Sequence, residues 1–283
     1  MSRRVAVVVL VLLVLTAAGL VVTYVQKARL AANLVTTQNN LRQLSQFAAH
    51  HANQDAKRDA PKMPKEIPAA TVLVQGMPGL PPEDRLSWFV YVLPGLDQRR
   101  QDVVALLGQI DDTRPWTAER NQTAARTRLV VALSPQNTPQ VPPDQPAVTC
   151  YVAIAGLGPD AATLALPPGG RAPPRAGAWR YDAATPFDWI DRGLSQTLLL
   201  GETASDLGPW LRGGPSTTRG FDDAANAKPV IGVGGQFGGY FPNGANFAMC
   251  DGSVRVFTPK TTPEMLFKLA TIAGGGNEPL PGD

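Results

Sequence analysis

The sequence is poor in histidine and cysteine, and each shortage narrows the kinds of site that it can build. The only two histidines are the neighbours His50 and His51, so the spaced His and Cys ligands of a zinc site are missing. Cys150 and Cys250 are the only cysteines. They suit either one disulfide in an exported domain or two small buried apolar side chains. We therefore predict no metal site and no bound cofactor.

Charge is also scarce, at 17% of residues, and it is unevenly distributed. Residues 1–65 hold nine Lys and Arg against two Asp, whereas the rest of the chain holds 17 basic and 21 acidic side chains. The basic excess is thus confined to the N-terminal part. The remainder has no basic patch interleaved with aromatic residues, which excludes nucleic acid as an expected partner.

An uncharged run spans residues 5–25, between the pair Arg3 and Arg4 and the next cation, Lys27. About 20 apolar residues match the hydrocarbon thickness of a bilayer, whereas the apolar core of a cleavable signal has about 7–15. We predict a transmembrane anchor at residues 1–26. Arg3, Arg4 and the α-amino group favour a cytoplasmic N-terminus in the inner membrane, with the following domain outside the cytoplasm.

A helical pattern continues beyond the anchor. Small or apolar residues recur at spacings of three and four, which places them on one helical face. They are Leu30, Leu34, Thr37, Leu41, Leu44, Ala48 and His51. We predict an amphipathic helical stalk at residues 27–60 that packs this stripe on the globular domain; pairing with another chain is the alternative. Three prolines between residues 61 and 68 predict a linker over residues 61–85.

Glycine and proline, 27 of each, indicate many turns and short strands in residues 86–283, which we predict to be a β-rich domain. Residues 86–93 favour a strand, although a helix competes. Residues 128–133, 148–155 and 197–200 also favour strands, and residues 102–110 favour a short helix. A last helix is predicted to begin after Thr262, with proline at its first turn.

The strongest local signal is a hairpin around Asp251 and Gly252, which favour a two-residue type I′ turn. Pairing about that turn would place Phe247, Met249, Val254 and Val256 on one core face. Cys250 would then point away from that core unless both faces of the sheet are covered.

The candidate site residues do not form a catalytic set. Ser195, in the segment GLSQT, lacks the second glycine of a nucleophile elbow, so we predict no enzymatic activity. Glu202 is expected to make structural hydrogen bonds around the loop of Trp210. A glycan- or solute-binding module is the alternative function, with ligand contacts from Trp179, Trp189, Trp210 and Glu202.

Several segments together resemble a large bacterial family of unknown function. Its members carry a prepilin-like N-terminal helix, a solute-binding-protein-like domain and a C-terminal signature of His, nine residues and Asp-Gly. The matching segments are residues 39–44 (NNLRQL), 86–88 (LSW), 93–94 (LP), 115–116 (PW) with Asn121, 133–135 (LSP), 193–197 (GLSQT), 201–202 (GE), 244–254 (GANFAMCDGSV) and 266–275. Asn246, Asp251 and Gly252 carry the last of these motifs.

The sequence departs from the family pattern at several points, among them Arg192 in place of Asp and Ser134 in place of Cys. The prepilin processing motif is missing before the apolar run, which leaves N-terminal processing and filament assembly open. Phe241 stands where the signature has His. The resemblance implies an α+β, pilin- or pseudopilin-like fold, with the long N-terminal helix and stalk packed on an antiparallel β-sheet. From the anchor and stalk joined to a domain without catalytic residues, we predict a membrane-anchored, pseudopilin-like, non-catalytic cell-envelope protein whose partners are envelope proteins or glycans.

Overall fold

The computed structural model describes residues 3–54, 66–96, 101–167, 172–242 and 244–274. The helices are α1 (Arg3–Gln54), α2 (Phe89–Val92), α3 (Gln101–Leu107), α4 (Glu119–Arg126) and α5 (Pro263–Ala270). The strands are β1 (Glu66–Ile67), β2 (Thr71–Val72), β3 (Leu86–Ser87), β4 (Tyr151–Leu157), β5 (Thr185–Pro186), β6 (Leu198–Glu202), β7 (Thr218–Phe221), β8 (Ala245–Met249) and β9 (Val254–Phe257). A long N-terminal helix followed by a separate sheet domain makes the fold α+β, as predicted.

Helix α1 is continuous over 52 residues, which gives it a length of about 78 Å at 1.5 Å per residue. Every side chain described between residues 3 and 29 is exposed. Within the described ranges, α1 is the one helix that is long and apolar enough to cross a membrane. The predicted anchor therefore coincides with an apolar helical segment that the domain leaves uncovered.

The second half of α1, residues 27–54, is called the stalk segment below. Its predicted stripe faces the domain: Leu41, Leu44 and Ala48 are fully buried, and Leu30 and Leu34 are half-buried. The segment contacts α2, β1, β6, β8 and β9. The stripe thus packs on its own domain, as predicted, rather than lying open for another chain. The side chain of His51 lies outside the described residues.

The main sheet has five strands in the order β7-β4-β6-β8-β9. Neighbouring strands are antiparallel except β4 and β7, which run parallel. The sheet is therefore mixed, and the expectation of a purely antiparallel sheet is wrong at this edge. Two short ladders, β1 with β5 and β2 with β3, lie outside the main sheet.

Both faces of the main sheet are covered, because its strands carry apolar side chains in both directions. Tyr151 and Ala153 of β4 join the core that contains the stalk segment. Val152 and Ile154 of the same strand belong to a second core, which α5 closes with Leu266 and Leu269. This arrangement explains why Cys250 is buried although it points away from Phe247: it faces the first core.

The predicted hairpin is present, but its turn differs. The pairs Ala248–Val254 and Phe247–Arg255 leave one more residue in the loop than a two-residue turn allows. The Gly252 N–H donates to the Met249 carbonyl and Gly252 has φ +83°, which is a type I turn followed by a glycine bulge. The shift places Phe257 beside Phe247 in the second core and turns Val254 toward the first.

Two predicted strands are mostly not strands. Residues 86–93 form only the two-residue β3 before the chain turns into α2 and a 3₁₀ turn, so the competing helical reading prevails there. Residues 128–133 contain a 3₁₀ turn at Val130–Ala132. Most apolar side chains in both segments are buried or half-buried, although Val130 is 71% exposed. The periodicity of such short apolar runs does not distinguish a strand from a helical turn.

The domain begins earlier along the chain than the predicted boundary at residue 86. Ile67, Ala70 and Val72 are buried in the first core, and β1 and β2 pair with strands of the domain. The prolines near residue 64 therefore precede ordered structure rather than a linker that reaches residue 85. Residues 55–65, which include the end of the predicted stalk, lie outside the described residues.

Candidate functional site

A fully buried carboxyl group, Glu202, lies where the stalk segment crosses the sheet. It ends β6 after a run of apolar residues, and the pairing of Gly201 with Phe247 sets it beside Asn246 of β8. Both side chains are 0% exposed. The local sequence explains the burial, since a strand that is covered on both faces buries its last residue as well.

Asn246 holds this carboxyl group with two hydrogen bonds. Its backbone N–H donates to Oε1 of Glu202 over 2.9 Å, and its Nδ2 donates to the same oxygen over 2.8 Å. On its other side, Oδ1 of Asn246 accepts from Nε2 of Gln38 over 3.3 Å. Glu202 is thereby connected through one asparagine to α1, the helix that carries the apolar segment.

The second carboxyl oxygen of Glu202, Oε2, is buried and has no hydrogen-bond partner among the described residues. Burial raises the pKa of Glu202 to about 7, although the two bonds from Asn246 oppose the shift. The group can therefore change its protonation state near neutral pH. When protonated, it no longer places a charge in the core.

Three further titratable side chains interact with the charge of Glu202: Cys150, Tyr151 and Tyr240. The Tyr240 hydroxyl donates to Sγ of Cys150 over 3.0 Å. Burial raises the pKa of the Cys150 thiol, which makes it a poor nucleophile at neutral pH. Cys150 and Cys250 are free thiols in separate apolar clusters, so they behave as buried apolar residues rather than as the disulfide considered above.

Two of the three candidate tryptophans are buried in the core. Trp179 and Trp210 are 0% exposed, and their indole N–H groups donate to the carbonyls of Leu199 and Thr127. The Gly/Pro-rich segments fold back over the sheet and place both rings in the core, which does not favour the predicted ligand contacts of Trp179 and Trp210. Trp189 is half-buried, with Arg180 stacked over its ring.

The motif residues of the hairpin have structural roles. Oδ1 of Asp251 accepts from both the N–H and the hydroxyl of Ser253, which fixes the turn. Phe241, at the position of the family's histidine, is buried beside Tyr240 and Cys150. Ser195 is exposed in a 3₁₀ turn. Among the described residues, no three His, Cys, Asp or Glu side chains are grouped as a metal site.

The sequence singles out Glu202 but indicates neither its hydrogen bond with Asn246 nor the bond that connects Asn246 to Gln38. It assigned Glu202 to the loop of Trp210, whereas its partner is Asn246, and it gave Gln38 no role. The available signals were weak. Gln38 directly follows the buried Thr37 of the stripe, and Glu202 directly follows an apolar strand.

Comparison with known proteins identifies the family but no characterised relative. A family model described as "Protein of unknown function (DUF1559)" matches residues 26–230, from the end of the apolar run to beyond β7. The match ends before Phe241 and the hairpin, so it does not bear on the C-terminal signature. No curated protein and no solved structure matched the chain. Because the match covers more than two thirds of its length, the chain belongs to the family of proteins of unknown function DUF1559.

Proposed function

We propose that this chain is a membrane-anchored, pseudopilin-like protein of the cell envelope. In this proposal its extracytoplasmic domain makes non-catalytic contacts with other envelope proteins or with glycans. The observation that carries the proposal is the continuity of α1: one helix contains both the exposed apolar segment and the stripe that is buried on the sheet. An anchored domain of this build is held at a set height above the bilayer.

Packing and polar contacts both support a rigid attachment. Burying Leu41 and Leu44 contributes about 1.5–3 kcal/mol for each side chain. Nδ2 of Asn33 donates to Oε1 of Gln136 over 2.8 Å, and Nδ2 of Asn40 donates to the Leu133 carbonyl over 3.2 Å. The stalk segment is therefore bound along both its apolar stripe and its polar edges.

The proposed location is the inner membrane, with the N-terminus in the cytoplasm and the domain outside. Arg3 and Arg4 precede the apolar run, and cations on the short N-terminal side favour that orientation. A single span followed by a long domain is consistent with an uncleaved signal anchor.

A non-catalytic role is proposed because the candidate groups are poorly placed for chemistry. Glu202 is sealed from solvent, and Asp251 is occupied in a turn. A glycan-binding face built on the tryptophans is not favoured, since Trp179 and Trp210 lie in the core. Interaction through the outer surface of the domain is the function that remains best supported.

The test is the intact mass and N-terminal sequence of the protein from native membranes, combined with protease treatment of spheroplasts. We expect a chain that begins at Met1 or Ser2, and loss of the domain when protease is added outside the cytoplasm. A chain that starts after residue 25 would overturn anchoring. Protection of the domain from external protease would overturn the orientation, and a shortened, N-methylated chain would establish prepilin-type processing and a filament subunit instead.

A further inference from the structure

A cleft of about 280 Å³ lies between the stalk segment and the last hairpin of the sheet. Leu30, Ala31 and Leu34 of α1 form one wall, and Phe241 and Val256 contribute to the other. Val256 is 42% exposed, which is unusual for a valine in a strand of this sheet. The cleft is thus an apolar space that the folded domain leaves open.

The two ends of the cleft differ chemically. Lys27, with an exposed ammonium group, lines it nearest to the apolar run. Asn246 of β8 lines the cleft at the end farther from the apolar run. Its amide nitrogen and oxygen already form hydrogen bonds with Glu202 and Gln38. An occupant therefore meets a cation at the first end and satisfied or apolar groups beyond it, which suits an anion attached to an apolar chain.

The cleft also begins where the membrane is expected to end. Residues 5–25 span about 30 Å of helix, which equals the hydrocarbon thickness. Tyr24, 75% exposed, is then at the level where aromatic residues favour the interface. Lys27 and Leu30 follow about 3 and 7 Å beyond residue 25, at the depth of lipid headgroups.

We propose that this cleft binds one acyl chain of an anionic phospholipid, whose phosphate pairs with Lys27. The inference rests on the proposed membrane anchoring. Moving a chain from the bilayer into an apolar cleft is nearly neutral for the hydrophobic effect. Preference for the cleft therefore comes from contacts with its otherwise unfilled walls, and preference for an anionic headgroup comes from the Lys27–phosphate pair. The volume of about 280 Å³ lies below that of ligand pockets of about 300–1,000 Å³, so the cleft can hold part of one acyl chain and excludes a whole lipid.

The experiment uses the full chain in phosphatidylglycerol vesicles that contain a phospholipid with a diazirine at the end of one acyl chain. After illumination, modified peptides are mapped by mass spectrometry. We expect adducts on the peptides of Phe241 and Val256 in addition to those of the apolar run. In Ala31→Trp, which fills the cleft, the adducts on these sheet peptides should fall about tenfold.

Ala32→Trp is the matched control, because Ala32 is the exposed neighbour of Ala31 and does not line the cleft. It should label like the parent chain. Lys27→Gln should reduce labelling of the sheet peptides severalfold, and Arg29→Gln should not. Labelling confined to the apolar run, or equal labelling in Ala31→Trp, would overturn the lipid site and leave anchoring intact. If the chain does not stay with the vesicles after alkaline washing, the proposed membrane anchoring itself would be contradicted.

Discussion

Glu202 shows how one residue can be structural and still respond to pH. Its buried carboxyl group is held by Asn246 on one oxygen, and the other oxygen has no hydrogen-bond partner in the part of the chain that the structure describes. Ionisation of such a group is unfavourable in the folded chain and unopposed in the unfolded chain. The folded state therefore binds the proton more tightly.

The sign of the resulting pH dependence follows from the two pKa values. The pKa of Glu202 is about 7 in the folded chain, above the ordinary value of 4.5. Below pH 4.5 the Glu202 carboxyl group is protonated in both the folded and the unfolded chain, so its contribution to stability is most favourable in that range. Stability should fall as the pH rises from 4.5 to 7 and then level off, by about 3 kcal/mol in total.

Glu202→Gln should remove this loss, because its amide keeps the oxygen that accepts from Asn246 and carries no charge. We expect unfolding of the variant in detergent, followed by fluorescence of the buried tryptophans, to be insensitive to pH between 5 and 8. Above pH 7 the variant should be more stable than the parent chain. Glu264→Gln, at an exposed position, is the control and should keep the parent profile. A parent chain that is already insensitive to pH would assign Glu202 an ordinary pKa.

The two thiols allow a second test at this scale. Burial raises the pKa of both Cys150 and Cys250, and both side chains are inaccessible. The native protein should not react with a thiol reagent, whereas the unfolded chain should react at both positions. The intact mass should be that of the fully reduced chain. A mass lower by two hydrogens would instead establish a disulfide.

At the scale of elements, glycine determines where strands can approach other chain segments. Gly156 lies inside β4 with φ +115°, and a Cβ there would come within 2.0 Å of the Arg175 carbonyl oxygen. Because both the backbone conformation and the space exclude a side chain, Gly156→Ala should destabilise the domain by about 3 kcal/mol or more.

Gly79→Ala is the matched control for Gly156→Ala, since nothing lies within 4 Å of its Cβ position. It should unfold at the same temperature as the parent chain. If Gly156→Ala fails to accumulate, the yield of folded protein replaces the melting temperature as the measure. Equal stability of the two variants would contradict the close packing of β4 against residues 175–177.

The sequence predicts individual elements better than it predicts their packing. Periodicity and turn residues predict the stripe of α1, strand β6, the hairpin and α5, and all four are present. The turn type was not, because Asp-Gly suits both a type I′ turn and a type I turn with a glycine bulge, and Asp251 favours the second by binding Ser253. The tryptophans were misplaced because loop composition does not indicate whether a loop folds over a sheet.

At the scale of the whole molecule, the attachment of the stalk segment is the feature that defines the protein. Leu41 is fully buried between α1 and the domain. Leu41→Ala should cost about 2–5 kcal/mol, because it leaves a cavity in that contact. The loss should appear as faster hydrogen exchange along residues 33–48 and as proteolysis between stalk and domain in the detergent-solubilised chain.

Val35→Ala is the control for this contact, because Val35 lies on the same helix and is 55% exposed. Its exchange and proteolysis should match those of the parent chain. Exchange that is equally fast in both variants would mean that the stripe contributes little to holding the domain.

A helix that passes without interruption from apolar segment to sheet also limits where the domain can search for partners. A domain on a flexible tether explores a hemisphere, whereas a domain packed along α1, anchored as proposed above, turns about one axis and moves only with its anchor. Encounters are then restricted to two dimensions and to one height above the lipid surface. Partners fixed at that height, with their binding faces turned sideways, would meet this protein at a high local concentration, while those farther out would not meet it at all.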